Sequence, residues 1–176
     1  MLVIPYTPAL LRPETARWGV INGAEFHNVA GGDLAYWRLF RTLWFDLTNY
    51  GPLCIVEHDI LPDTLELGVM AGCPRPWCTQ PYPIRADGHM TGTSLGCVKF
   101  SRQLMIDHVH LPDDVGPGGR YAQADGLWSR LDGAISDYLT RHHYEPHAHS
   151  KATHLHDYVN IHTPWTDPFK ETNRGA

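Results

Sequence analysis

The sequence has no run of basic residues. Its 14 Lys and Arg stand against 19 Asp and Glu, a formal net charge of −5 over 176 residues. Proteins that bind by neutralising nucleic-acid phosphates need the opposite balance, so tight nucleic-acid binding is not expected; brief contact by an enzyme remains compatible. No apolar stretch approaches the roughly 20 residues of a membrane-spanning helix. Met1-Leu2-Val3-Ile4-Pro5 lacks the charged and apolar regions of a signal peptide, and the expectation is a cytoplasmic protein. Several signature loops are also missing. No Gly-x-Gly-x-x-Gly follows the first strand, and there is no NTPase phosphate loop, no Gly-x-Ser-x-Gly elbow and no His-Glu-x-x-His. Dinucleotide enzymes, P-loop NTPases, serine hydrolases of the elbow type and His-Glu-x-x-His zinc proteases are thereby set aside.

Cysteine is scarce. Cys54 and Cys97 sit inside apolar runs and read as buried thiols. Cys73 and Cys78 make one pair, whereas structural zinc usually takes two such pairs. Neither a zinc site nor, in a reducing compartment, a disulfide is expected there. No cysteine has the setting of a nucleophile.

What is present suits one globular domain. Hydrophobic residues make up 43% and charged residues 19%, enough to build a core. The 14 Pro and 16 Gly are spread along the chain, marking turns rather than a linker. We expect strands at Leu2–Ile4 (stopped by Pro5), 24–29, 53–56, 77–80 and 94–100. Helices are expected near 13–17, from Asp33, from Pro62–Asp63 towards Met70, from Ser101 and from about Asp125. On the second of these, Leu34, Trp37, Phe40, Trp44 and Leu47 recur at helical spacing, flanked by Leu39 and Leu43. Residues 85–93 read as a loop and 109–120 as a turn-rich, mobile stretch. Two short His-bearing segments, 145–149 and 153–156, precede an irregular end. Alternating strands and helices argue for an α/β fold, a single domain over 1–164 with a mostly parallel sheet flanked by helices, and a tail over 165–176.

The strongest chemical signal is Glu57-His58-Asp59, directly after the apolar run Leu53-Cys54-Ile55-Val56. Ligands of open α/β sheets bind beyond the carboxyl ends of the strands. If the strand continues, Glu57 and Asp59 share a side and repel each other, and a hard divalent cation is their natural partner. His58 then points the other way. The plainer reading is a strand end where Asp59 caps the next helix. Seven of the 12 His lie from His142 to His162. His147-Ala148-His149 and His154-Leu155-His156 each put two imidazoles on one side of a strand, which suits a metal; the first pair reads better as surface, the second is divided evenly between metal and structure. His142 and His143 follow a helix end. On the last helix Trp128 and Asp132 are one turn apart at the edge of the apolar stripe, where partial desolvation makes a carboxylate a better base. An ordinary solvated Asp is the competing reading, and Asp125 reads as a cap.

An apolar strand closed by an acidic-x-acidic triplet resembles the metal-binding DxD motif of glycosyltransferases with the GT-A fold. There the motif ends a Rossmann-like strand and holds a divalent metal, usually Mn²⁺, against the diphosphate of a nucleotide sugar. Here Glu57 stands in the first place. The resemblance, over about residues 1–160, implies a Rossmann-like, GT-A-like domain with Glu57, Asp59 and His154 or His156 on Mn²⁺ or Mg²⁺. It implies Pro5, Tyr6, Thr7 and His58 on the donor side, and Ser94, Leu95, Gly96 and Trp128 on the acceptor side. Asp132 falls where inverting members carry the general base. The chain is shorter than most members, so acceptor-binding elements are either reduced or supplied by a second subunit of a homo-oligomer.

Three functions follow. The leading one is a metal-dependent glycosyltransferase with a nucleotide-sugar donor and an unknown acceptor, in which Lys99, Arg102 or Arg85 contacts phosphate and Trp77 or Trp128 stacks on a sugar or base. The second is a hydrolase or oxygenase whose metal is held by the histidine cluster and Asp59. The third is a non-catalytic binding module on a glycosyltransferase-like fold.

Overall fold

Successive residues on the central strands go to opposite faces of one sheet, and both faces are buried. The computed structural model describes residues 1–31, 33–46, 50–83, 95–122 and 131–155. In chain order the elements are β1 (Leu2–Tyr6), α1 (Pro13–Ile21), β2 (Glu25–Asn28), α2 (Asp33–Trp44), β3 (Leu53–Val56), β4 (Ile60–Leu61), α3 (Thr64–Gly72), β5 (Trp77–Thr79), β6 (Cys97–Phe100), α4 (Arg102–Asp107), α5 (Leu111–Val115), α6 (Leu131–Arg141), β7 (His147–Ala148) and β8 (Thr153–His154). Six strands form a sheet in the order β2-β1-β3-β6-β5-β7, and β4 with β8 makes a separate two-stranded ladder. The β1 pairs with β2 and β3 are parallel, as is β5 with β7; β6 runs antiparallel to both of its neighbours, β3 and β5. The fold is therefore α/β with a mostly parallel sheet, as expected from the alternation of elements.

On one face Val3, Ile55, Trp77, Val98 and Phe100 pack with α2, α4, α5 and α6. On the other, Ile4, Val56, Cys78 and Cys97 pack with Trp18 of α1 and with Leu67 and Met70 of α3. Burial on both sides explains why the β3 sequence is continuously apolar. The first face is built around aromatic rings. Phe40 and Trp44 lie 5.2 Å apart, and Phe100 is 6.1 and 5.3 Å from them. Such pairs add about 0.5–1.5 kcal/mol each beyond the area they bury. The indoles of Trp37 and Trp44 donate to the carbonyls of Pro112 and His108, fastening α2 to the α4–α5 region.

Three expectations change. Strand β1 runs through Pro5, because β3 is in register only with Leu2 and Val3; Pro5 lies beyond that ladder while its other side pairs with His27 of β2. The stretch 109–120 contains α5, with Leu111 and Val115 in the core. The buried face of α2 centres on Tyr36, Phe40, Leu43 and Trp44, and Leu34 is exposed. Leu47, Arg85, Ser94, Asp125, Trp128 and His156 fall outside the described residues.

Helix α3 is capped by Asp63, whose carboxylate accepts from the amides of Leu65 at 2.9 Å and Glu66 at 3.1 Å. Asp59 is therefore not this helix's cap. Asp63→Ala is expected to cost about 1 kcal/mol in denaturant unfolding. An unchanged midpoint would show that the cap contributes nothing.

Candidate functional site

The chain leaves β1 for β2 on one side and returns to β3 on the other. The carboxyl ends of β1 and β3 thus flank a topological switch point, the place where open α/β sheets bind ligands. Glu57-His58-Asp59 occupies this point as a tight turn between β3 and β4 rather than as a continuation of β3. The alternation expected of a strand does not apply to it. Its backbone is held from several directions. The Glu57 amide donates to the Gly96 carbonyl at 2.9 Å. The His58 and Asp59 carbonyls accept from the amides of Arg12 at 2.9 Å and Leu155 at 2.8 Å.

The antiparallel pairing of Ile60 with His154 brings that imidazole to Asp59. His154 Nδ1 lies 2.9 Å from the Pro83 carbonyl, and Nε2 lies 3.2 Å from Asp59 Oδ2. A carbonyl only accepts, so Nδ1 carries a proton. Nε2 then faces a carboxylate, and either a proton or a cation must sit between them. Burial acts to raise the Asp59 pKa, but the His154 hydrogen bond, with the charges of His58 and His154, outweighs it and holds the carboxyl below its ordinary value.

Glu57 has different surroundings. Burial, then the Asp132 charge and then that of Asp59, push its carboxyl well above the ordinary range. Its Oε1 is buried and has no hydrogen-bond partner among the described residues. Tyr36 of α2 is buried nearby, its phenol pushed upward by burial and then by Glu57, Asp132 and Tyr82. Glu57 thus belongs with Asp132 and Tyr36, and Asp59 with His154. Among the described residues, Glu57, Asp59 and His154 do not gather as a three-ligand cluster. Tyr82 lies between the two groups: its ring is 5.3 Å from that of His154, and its phenol is among the groups that push Tyr36 upward. It also covers Gly96, where a β-carbon would collide with the phenol.

Beside the turn is a cleft of about 230 Å³ lined by Ala9, Leu10, Leu11, Arg12, Pro13, His58 and Asp59. Pro5, Tyr6 and Thr7 lead into its wall, and the Thr7 carbonyl accepts from the amides of Leu10 and Leu11. Leu95 is buried in the core face behind the site. Lys99 does not reach the cleft. It is 1% exposed, and its ammonium donates to the carbonyls of Cys73 and Arg75. Arg102 reaches the Asp46 carbonyl at 3.3 Å, and Trp77 is buried in the core. Tyr36 and Tyr82 were not singled out in the sequence. Tyr36 lies one turn before Phe40 on the apolar face of α2, and that spacing was the available signal.

His147 and His149 do not approach Asp59. They meet Cys73 and Cys78, and the four ligand atoms lie within 4.8 Å of one another. This is a possible metal-binding group. Cys54 and Cys97 are buried, which pushes the Cys54 thiol up to about 11 and Cys97 higher still.

No family model and no curated protein matches the sequence. Among solved structures, A197 from STIV is similar in fold, with a TM-score of 0.58 and 13% identity over 89% of this chain and 85% of that one. A glycosyltransferase involved in the glycosylation of the major capsid of PBCV-1 is similar with a TM-score of 0.55 and 6% identity, over 88% of this chain and 92% of that one. The chain shares its α/β fold with these two proteins. Among the described residues no helix is long and apolar enough to cross a membrane.

A raised Glu57 pKa means that the folded chain holds this proton more tightly than the unfolded chain. The contribution of Glu57 to stability is therefore greatest below its ordinary value of 4.5 and falls as pH rises towards the folded value. In metal-free protein Glu57→Gln should match the wild type near pH 4 and become the more stable of the two near pH 8. Parallel unfolding profiles across that range would show that Glu57 is ionised in the folded state.

Proposed function

We propose that this protein is a glycosyltransferase that moves a sugar from a nucleotide-sugar donor, with a divalent cation, Mn²⁺ or Mg²⁺, at Asp59 and His154. The observation that carries this reading is the Asp59–His154 pair at the carboxyl end of β3, on a topological switch point, in a glycosyltransferase-like fold. The pair suits a cation: Nδ1 is committed to the Pro83 carbonyl, and the Nε2 lone pair and a carboxylate oxygen converge on one point. When bound, such an ion neutralises charge on the departing diphosphate.

The remaining roles fall to the chain's own groups. Arg12 and His58 line the cleft beside Asp59, where phosphate oxygens would lie. At about 230 Å³ the cleft is below the roughly 300–1,000 Å³ of a full ligand pocket, and it suits part of a nucleotide. Pro5, Tyr6 and Thr7, which lead into the wall formed by Ala9 to Pro13, lie on the donor side. Asp132 orients the acceptor hydroxyl and, in an inverting reaction, takes its proton. Burial and then the Asp132 charge favour the protonated form of Glu57, which eases the repulsion between the two carboxyls. Gly96 lets Tyr82 close over the acceptor side. Ser94, Trp128 and His156 belong to the same proposal by their places in the sequence.

Thermal stability in the presence of nucleoside diphosphates and nucleotide sugars, with and without Mn²⁺, tests this. A ligand at 100 times its Kd adds about 2.7 kcal/mol. We expect a shift that needs both nucleotide and Mn²⁺, is lost in Asp59→Asn and persists in Asp132→Asn. The latter variant should lose roughly 10²–10⁴-fold in transfer rate. No shift with any nucleotide would overturn the donor site.

A further inference from the structure

We propose that Cys73, Cys78, His147 and His149 form a tetrahedral Zn²⁺ site that clasps the edge strand β7 to β5 and to the end of α3. This does not rest on the glycosyltransferase reading. The site is assembled by register. Cys78 of β5 pairs directly with His147 of the parallel strand β7. The His149 amide donates to the Thr79 carbonyl at 2.8 Å, which extends the ladder by a residue and leaves His147 and His149 on one side. Cys73 enters from the C-cap of α3, with extended backbone at φ −64° and ψ 131°.

The distances suit one ion. Zn–S bonds of about 2.3 Å and Zn–N bonds of about 2.0–2.1 Å put tetrahedral sulfur and nitrogen about 3.6 Å apart and two sulfurs about 3.8 Å apart. Cys73 Sγ and His147 Nδ1 are separated by 3.5 Å, and all four ligand atoms lie within 4.8 Å of one another. An ion would draw the loosest pair in by about an ångström. The rings of His147 and His149 stand 4.7 Å apart at 79°, so both can aim at one centre without stacking.

Two further observations point to a ligand. His149 Nε2 is buried, with no hydrogen-bond partner among the described residues, while its Nδ1 lies 3.9 Å from Glu66 Oε2. A carboxylate on that side favours the proton on Nδ1, the tautomer that leaves the Nε2 lone pair for a metal, and a small approach would make it the outer partner of a ligating imidazole. Lys99 is the second. Its buried ammonium donates to the Cys73 and Arg75 carbonyls and lies 3.9 Å from Cys78 Sγ. Among the described residues it makes no ion pair. Coordination deprotonates a thiol outright, and a zinc-bound Cys78 sulfur supplies this cation with an anionic acceptor.

The ligand set selects the metal. Two sulfurs and two nitrogens in a tetrahedron are a zinc set. A two-iron cluster with the same residues places its cysteines and histidines on different irons, whereas here Cys73 and His147 are in direct contact. Four protein ligands leave no open position, so the role is structural. Strand β7 needs such support, since it is only two residues long and both are exposed. The Ala152 amide then bonds the Pro81 carbonyl, and β8 delivers His154 to Asp59. The clasp therefore fixes the approach of the chain to that pair.

Metal content and cobalt spectroscopy of the purified full chain test the proposal. We expect about one zinc per chain, and about one equivalent of Co²⁺ taken up after chelation. The cobalt form should show sulfur-to-metal charge transfer and the intense visible bands of a tetrahedral ion, and Zn²⁺ should displace it. Cys78→Ser and His149→Ala should lose zinc, and Asp59→Asn should keep it. The wild-type cobalt titration decides the matter even where a variant does not fold. A stripped protein that binds Co²⁺ without thiolate charge transfer, a Cys73–Cys78 disulfide in the fresh protein, or zinc retained in both ligand variants would overturn the site.

Discussion

The candidate site depends on how the turn after β3 is held. Glu57, His58 and Asp59 are three consecutive residues, and each is tied through its backbone to a different part of the chain: Gly96 before β6, Arg12 before α1 and Leu155 after β8. A buried backbone group left without a partner costs about 1–3 kcal/mol, so these bonds fix the turn strongly. The side chains then have little freedom to share one environment. Asp59 is delivered to the cleft and His154, and Glu57 to Asp132 and Tyr36. Burial pushes both carboxyls up; at Glu57 the Asp132 charge adds to it, whereas at Asp59 the His154 hydrogen bond and the charges of His58 and His154 outweigh it, so two carboxylates two residues apart acquire opposite pKa directions.

This explains what the sequence could and could not convey. Elements whose type follows from local pattern were legible: the apolar run of β3, Pro13 at the start of α1 and the helical stripe on α2. So was the importance of 57–59, because a charged triplet at the end of a doubly buried strand is conspicuous. The geometry of that triplet was not, since strand alternation was extended into what is a turn, and the bonds that make the turn come from residues far away in sequence. Tyr36 is illegible for the same reason. Its neighbours Leu34 and Trp37 look more apolar, and only the packing of α2 on the sheet shows that Tyr36 is inside and Leu34 outside.

The cysteine and histidine group gives a sharper case. Cys73 and Cys78 lack the second cysteine pair of a usual zinc site, and His147 with His149 reads as a surface pair. Each half looked incomplete. What joins them is the parallel register of β5 with β7, a contact between residues 69 positions apart at Cys78 and His147. No local pattern announces that β7 closes the sheet on that side, because a two-residue strand has no periodicity to read. The sequence cue was the complementarity itself: two thiols and two imidazoles make a complete zinc set where either half does not.

Strand direction ties these two regions together. β6 is antiparallel to both neighbours, so its N-terminal end lies beside the carboxyl ends of β3 and β5. That reversal places Gly96, the residue entering β6, against Glu57, and leaves room above it for Tyr82, which follows β5. The chain beyond β7 then crosses the same end of the sheet, bonding Pro81 on its way to Asp59. Were β6 parallel, its entry would lie at the opposite end and the amide of Glu57 would lose its acceptor. One reversed strand in a mostly parallel sheet thus gathers β3, β5 and β8 at a single end, where the acidic groups and their histidine partner lie.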